Sequence, residues 1–543
     1  MKGLSGRKWI LLSEIIKPEK DKVLSLGPVV AQILANRGSD ESVLDLKLKN
    51  LSPPYRIPNL NQAVERIKES ILKKERIILF GDYDVDGITG TALLYKFLKT
   101  AGATAIPVLP SRQSGYGLNK KLVDKFSKYA DLLITIDNGT TAVEELKVFK
   151  KDSIVIDHHN IGEEIPPTIL VNPKLTEDLP TEFKELSSVS LVFYLIAVLS
   201  KELNLSYDPR LDLYLPAIGT LADFMPLNML NRIIVSYGIR CLEYIQKGLI
   251  VSHGIKALIE SAGINGSITS RDISFSIVPR LNAPGRVSRP SIALKLFLAE
   301  DKERAEAFAK KIEEINRRRK FIAQKAYDIA LEQALLQEDR KFIVVVLDSW
   351  AGGVAGIVAG MLSSIFQKPT AVFALGNYGV GSVRSANGIN IYQALSKLSH
   401  LFLRWGGHAY AVGISMEKEK IPIFKELVEE VITDVRVLPT LEIDMPLQPE
   451  EITPKLVEDL RRLEPFGEGF PAPTFLCDAK LLPTYYDENR LVLRSDNHYT
   501  FLCWDMNLSR KIIKRNLIEG KVVYQIDLRN PRRLILLDVE EYE

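Results

Sequence analysis

Between residues 70 and 240, short apolar β-rich runs alternate with helical stretches, and this alternation restricts the fold more than any other feature of the chain. RIILF (76–80) is followed by TALLYKFLKTAG, AIPVL (105–109), DLLITI (131–136), AVEELKVFKK and IVI (154–156). Strands separated by helices cross over the face of a sheet and run parallel, so an α/β domain with a parallel sheet is predicted. The stretch 290–338 has no Gly and no Pro after Pro290, and the spacing of Leu296, Ala305, Phe308, Ile312, Ile315 and Ile322 predicts a long helix or helix pair joining two domains. A second α/β region follows, with FIVVVL (342–347), a Gly-studded helix near 354–366, AVFAL (371–375) and VGSVRS (380–385). Beyond Leu438-Pro439, short apolar runs separated by turns predict a small, mostly β domain. The expected division is therefore a helical N-terminal segment (1–50), a first α/β domain (51–289), a linking helix (290–338), a second α/β domain (339–437) and a β-barrel domain (438–543).

Composition narrows the class. The chain has 543 residues, 46% hydrophobic and 26% charged, which excludes disordered, collagen-like and low-complexity proteins. Its 71 Lys and Arg against 68 Asp and Glu leave a net charge of +3, so a polyanion site has to be a local basic groove. Cys241, Cys477 and Cys503 lie far apart, which supports neither a disulfide framework nor a thiolate metal site and fits a reducing compartment. The apolar stretch at Ile10 to Leu12 is too short for a signal-peptide core, and residues 189–199 fall short of the ~20 needed to span a bilayer. A cytoplasmic protein without membrane segments is expected.

The chemistry lies where the strands end. RIILF runs into Asp82, Asp84 and Asp86 before Gly87 turns the chain into a helix. Three carboxylates at alternate positions call for a metal, yet an EF-hand loop is excluded because Leu93 stands at the twelfth position, where a bidentate Glu is required. DLLITI runs into Asp137, and IVI runs into Asp157-His158-His159. In an open α/β sheet, ligands bind outside the carboxyl ends of the strands, so these groups converge on one crevice. Asp223, after a helical stretch, closes that crevice from the side. Asp and His without Cys suit a hard or borderline divalent ion, manganese or magnesium before zinc.

At these residues the chain resembles the DHH phosphoesterases. GDYDVDG, Asp137, Asp157-His158-His159 and Asp223 are similar to that family's four ordered motifs. PRLNAPGR (279–286), GSVRS (381–385), GGHAYAVG (406–413) and the tail from 440 resemble its RecJ branch, with a DHH-associated domain and an oligonucleotide-binding fold. The resemblance implies two Mn2+ ions, with Mg2+ as a substitute. Asp84 and Asp137 would hold one, with Asp82 as neighbour or ligand; Asp86, Asp137, His158 and Asp223 would hold the other, and Asp137 would bridge. His159 would face the scissile phosphate, making His159, Asp137 and His158 the catalytic set. Phe80 stands where some members carry a His, and Gly90 where a Ser is common.

Substrate contacts are expected from cations in Gly-, Pro- and Ser-rich loops, where an arginine beside a glycine suggests a phosphate clamp. Arg112, Arg280, Arg286 and Arg384 meet that description, and the resemblance adds Asn282, Ser382 and His408. In the tail, Arg510, Lys511, Lys514, Arg515, Lys521, Arg529, Arg532 and Arg533 accompany Tyr485, Tyr486, Tyr499, Phe501 and Trp504. Positive charge with aromatic platforms is how single strands are held without sequence readout, although packing claims about half such rings. The chain thus reads as a monomeric exonuclease on single-stranded DNA, 5′ to 3′ by resemblance, releasing 5′-mononucleotides in repair and recombination, with a helicase or single-strand-binding protein as partner. The competing readings are a DHH phosphodiesterase for short oligonucleotides or cyclic dinucleotides, and a non-cutting DNA-binding scaffold.

Overall fold

A computed structural model describes residues 2–110, 117–432, 440–486 and 490–542. The chain divides into two compact units, one of residues 37–316 with 459–472, the other of residues 1–36, 317–458 and 473–543.

The first unit is built on five parallel strands, β1 (Arg76–Gly81), β2 (Thr104–Val108), β3 (Leu132–Ile136), β4 (Asp152–Ile156) and β5 (Ile169–Val171), in the order β2-β1-β3-β4-β5. Every residue of β3 is buried, the mark of a strand covered on both faces. Helices α1 (Val85–Thr100), α2 (Ser188–Glu202), α3 (Tyr214–Ala222) and α4 (Met229–Gln246) pack together, α1 against both α2 and α3. The apolar run 189–199 is therefore a buried helix. The order reverses between β1 and β3, and that topological switch point is where open sheets of this kind bind ligands. Phe80 belongs to the apolar cluster of Ile78, Leu133, Phe126 and Val155, its ring centroid 5.8 Å from that of Phe126.

PRLNAPGR differs from the expected loop. It lies in α5 (Val278–Val287), preceded by a π-turn over Ile273–Ile277. Proline and glycine read as loop punctuation, but Pro279 occupies the first turn, where no amide proton is needed. Gly285 serves close packing, because a β-carbon there would lie 3.0 Å from the Tyr83 carbonyl. The predicted long helix is α6 (Lys302–Leu335), with the shorter helix Ser291–Phe297 before it.

In the second unit, β6 (Ile343–Asp348), β7 (Thr370–Leu375), β8 (Gly379–Arg384), β9 (Arg404–His408) and β10 (Ala411–Met416) form a mixed sheet in the order β9-β10-β8-β7-β6. Only β6 and β7 run parallel, and α7 (Ala355–Phe366) connects them. The tail strands β11 (Phe475–Tyr486), β12 (Leu491–Ser495), β13 (Thr500–Cys503), β14 (Ile518–Ile526) and β15 (Arg533–Glu541) run β11-β12-β13-β15-β14, and pairing of β11 with β14 closes them into a five-stranded barrel.

The N-terminal segment opens with a strand instead of a helix. Lys8–Leu11 pairs in parallel with Thr440–Ile443, and Trp9 Nε1 donates to Asp538 Oδ2 at 2.9 Å. A partner so remote in sequence leaves no local signal. Among the described residues, no helix is long and apolar enough to cross a membrane.

Candidate metal centre

The strand ends set the acids by backbone geometry. Asp82 N–H donates to Ile136 O at 3.1 Å, which ties the end of β1 to that of β3. Asp84 caps α1, its Oδ1 accepting from Gly87 N–H at 3.0 Å. Gly87 is required there, because a β-carbon would lie 2.5 Å from Asp82 N. Gly90 leaves no room for the Ser of related motifs, since its β-carbon would lie 2.7 Å from Ile136 Cγ2. Asp86 is gripped by the N-terminus of α2, with Oδ2 accepting from Ser188 N–H at 2.7 Å and Oδ1 from Val189 N–H at 3.0 Å. Asp137 adopts a left-handed φ of 63°, and its Oδ1 accepts from Ser188 Oγ at 3.0 Å.

These residues form two groups that share Asp137. The ligand atoms of Asp82, Asp84 and Asp137 lie within 4.8 Å of one another, as do those of Asp137, His158 and His159. His158 Nε2 stands 3.5 Å from Asp137 Oδ1 and 3.3 Å from Asp223 Oδ2. Asp223 therefore does close the site from the side, as the C-cap of α3. Asp86 stands in neither triad; both its oxygens are taken by the amides of α2. Asp157 turns inward, accepting from Thr140 N–H, His158 N–H and His159 N–H, with His159 Nδ1 at 2.7 Å.

The electrostatics follow from this crowding. Burial, then the neighbouring Asp84, raises Asp86 to about 7, and burial with the Asp86 and Asp84 charges raises Asp223 to about 8. Asp137 and Asp82 are driven well above the ordinary carboxylate range, first by burial and then by Asp84 and other acids. Burial lowers His158 to about 3, so its imidazole is neutral. Burial also opposes a charge on His159, but the Asp157 hydrogen bond and surrounding acids prevail and raise it to about 9. Asp157 remains ionised below the usual range because the His159 contact outweighs its burial.

A cation fits this donor set. Among the described residues, Asp82 Oδ1 is a buried oxygen without a hydrogen-bond partner, and the packed carboxylates repel one another unless a positive charge sits between them. The mixture of carboxylate and neutral imidazole without thiolate is that of a manganese or magnesium site.

The expected substrate residues fall in two places. Arg280, Asn282 and Arg286 share α5; Arg280 Nε donates to Glu313 Oε2 at 2.7 Å and its NH1 to Ser276 O at 2.9 Å. In the second unit, Ser382 and Arg384 lie on a strand, not in a loop, and Arg384 NH1 reaches Ser382 Oγ at 3.2 Å. A β-carbon on Gly356, in the first turn of α7, would lie 2.8 Å from Ser382 Oγ, so a helix N-terminus, a hydroxyl and a guanidinium meet there. Burial and the Arg384 charge lower the pKa of His408. Arg112 lies outside the described residues.

Two site residues escaped the sequence reading. Ser188 holds both Asp86 and Asp137, and the signal available was the Ser187-Ser188 pair preceding an apolar helical run. Lys174 carries a charge felt by Asp157 and Asp223, and nothing local marks it. In the tail, Phe501 is core, whereas Tyr485 (54% exposed) and Trp504 (43%) remain available. Arg515 pairs with Glu541, and Arg529 and Arg533 with Asp527, so part of the tail's positive charge is already neutralised.

Residues 76–220 match the DHH family N-terminal domain, 339–434 the DHHA1 domain and 443–518 the RecJ OB domain. The single-stranded-DNA-specific exonuclease RecJ of Escherichia coli (strain K12) is 32% identical over 496 residues, covering 85% of each chain. The chain belongs to the RecJ family. The RecJ of Bacillus subtilis (strain 168) is 34% identical over 88% of this chain, which spans 62% of that protein's length. The crystal structure of RecJ from Thermus thermophilus in complex with Mn2+ superposes with a TM-score of 0.84 at 29% identity, covering 99% of this chain and 80% of that one. The corresponding Mg2+ complex gives 0.78. The RecJ architecture thus accounts for the parallel sheet with its acid-lined edge, the mixed-sheet DHHA1 domain and the closed barrel.

Proposed function

We propose that this RecJ family member is a metal-dependent exonuclease that hydrolyses single-stranded DNA from the 5′ end and releases 5′-mononucleotides. The observation that carries the reading is the pair of carboxylate and imidazole groups sharing Asp137 at the switch point of the sheet. The relatives named as single-stranded-DNA-specific exonucleases support the substrate class, and the Mn2+ and Mg2+ complexes of the Thermus protein support the ions. Asp82, Asp84 and Asp137 would hold one ion, and Asp137, His158 and Asp223 the other, with Asp86 fixed behind them by α2. Two such ions would supply a nucleophile at neutral pH and compensate the charge of an in-line transition state. Within the chain, Ser188 fixes the shared carboxylate, neutral His158 offers a lone pair, and cationic His159 is oriented by Asp157 to meet a phosphate oxygen.

Ser382, Arg384 and His408, with the first turn of α7, form the terminal-phosphate pocket. The barrel holds the strand away from the cut through its exposed aromatics. The enzyme acts as a monomer in the cytoplasm on strands opened by a helicase or coated by a single-strand-binding protein; three buried free cysteines suit that compartment.

The test is the full chain with manganese and a single-stranded oligonucleotide labelled at either end. A 5′ label appearing at once as mononucleotide, with no cutting by Asp137→Ala, is the expected result. A 3′ label released first would reverse the direction, and near-normal turnover by Asp137→Ala would overturn the metal assignment.

A further inference from the structure

Asp223 is followed by a residue in an unusual conformation. Asp223 N–H donates to Gly219 O at 3.0 Å and Met225 N–H to Thr220 O at 3.1 Å, which closes α3 as a Schellman turn. The residue between them, Phe224, has φ 53°. Glycine is usual at that position, because a side chain in the left-handed region crowds its own backbone. The other described non-glycine residues with positive φ are Asn59, Lys74, Asp137, Asn204, Gln367, Asn387 and His498; Phe224 alone is apolar.

Packing does not offset the strain, since Phe224 is 74% exposed. The loop around it is nevertheless held firmly. Leu227 N–H donates to Glu468 O at 2.7 Å, and Asn231 Nδ2 donates to Pro226 O at 2.8 Å. Gly467 and Gly469 approach so closely that their β-carbons would lie 2.8 Å from Leu227 Cδ1 and 3.4 Å from Pro226 Cβ. A bulky ring thus stands in solvent on a fixed turn, covalently next to a residue that faces His158. Strain kept at such a place is a mark of use.

We propose that Phe224 is a stacking platform for a nucleobase of the strand being cut, at the nucleotide whose phosphate enters the Asp137–His158–Asp223 cluster. The proposal rests on the single-stranded DNA reading above. A nucleotide carries an anion for the metal cluster and a flat π-face for the ring in one ligand. Stacking is indifferent to base identity, which suits an enzyme that must accept every nucleotide in turn. A protein partner would call for a wider apolar patch, whereas this ring directly follows Asp223, a carboxylate that faces His158.

Phe224→Gly is the direct test, because glycine suits the turn and keeps the fold: its melting temperature should equal or exceed that of the parent. Its kcat/KM on an intact strand should fall by about 5- to 100-fold. A single abasic nucleotide is walked along the strand in parallel. The parent enzyme should lose a similar factor when the gap reaches one or two adjacent positions at the cut, and Phe224→Gly should show a flat profile. Phe224→Trp should restore both the rate and the profile. Parent and Phe224→Gly enzymes cutting intact and abasic strands alike would overturn the platform while leaving the nuclease reading intact. A parent enzyme that leaves every strand uncut with manganese would overturn the underlying reading instead.

Discussion

His159 Nδ1 lies 2.7 Å from Asp157 Oδ1, and this contact holds a proton on His159 that its neighbour His158 lacks. His158, buried, stays neutral, while His159 is raised to about 9. Proton-resolved NMR of the imidazoles should therefore find His159 protonated and His158 neutral at about pH 7.5. Asp157→Asn removes the negative charge and leaves only a neutral amide oxygen to accept, so His159 should titrate below its present value, and activity should drop by roughly 10- to 100-fold, as when a residue orienting another site group is lost. An unmoved His159 titration would show that the remaining acids, and not Asp157, hold the charge.

Metal removal should make stability depend on pH. Asp86 and Asp223 titrate in the folded chain at about 7 and about 8, above the unfolded carboxylate value of about 4. A raised folded pKa contributes stability that is complete below the unfolded value and lost as pH rises through the folded one. The chelated protein should accordingly melt lower at about pH 8.5 than at about pH 6, and manganese should abolish the difference. Metal binding at about pH 7 should also release protons, which calorimetry in buffers of different ionisation enthalpy will detect.

The segment 459–472 belongs to the catalytic unit although it lies within the tail. Arg232, 1% exposed, donates to Pro465 O at 2.8 Å and Leu463 O at 3.1 Å, and its guanidinium stands 3.9 Å from the Phe470 ring centroid. Arg232→Ala should cost about 3 kcal/mol or more, because it strips partners from buried carbonyls and opens a cavity. A chain ending at residue 437 should melt lower for the same reason. Thermal melting of both variants checks this.

Arg384→Ala should weaken binding of 5′-phosphorylated strands by ~1.5 to 3 kcal/mol and that of unphosphorylated strands by less. Gly356→Ala should do so more mildly, since its β-carbon would meet Ser382 Oγ and Arg384 NH2, both movable side-chain ends, at 2.8 and 2.9 Å. Fluorescence anisotropy with the two kinds of strand separates the outcomes; equal losses would remove the pocket from end recognition.

The sequence by itself determined the parallel sheet and the place of the metal centre. β1, β3 and β4 are continuous apolar runs ended by acids, and a parallel sheet puts all such ends on one edge, so Asp82, Asp84, Asp137 and His158 converge without any knowledge of coordinates, whereas Asp223 arrives from the end of a helix. Periodicity also exposed α6 and the β-rich tail, because spacing along the chain encodes which face is buried. Only the tertiary structure decided which acids face the cluster. Asp86 is expected as a ligand, yet it stands in neither triad and each of its oxygens accepts from an amide of α2, while Asp157 accepts from His159 and its neighbours. Likewise, the PRLNAPGR helix, the docking of 459–472, the strand at Lys8–Leu11 and the turn that exposes Phe224 depend on partners distant in sequence or on close packing. Local pattern records the period of an element but not the atoms that come to meet it, and those contacts fix the charge and direction of each side chain.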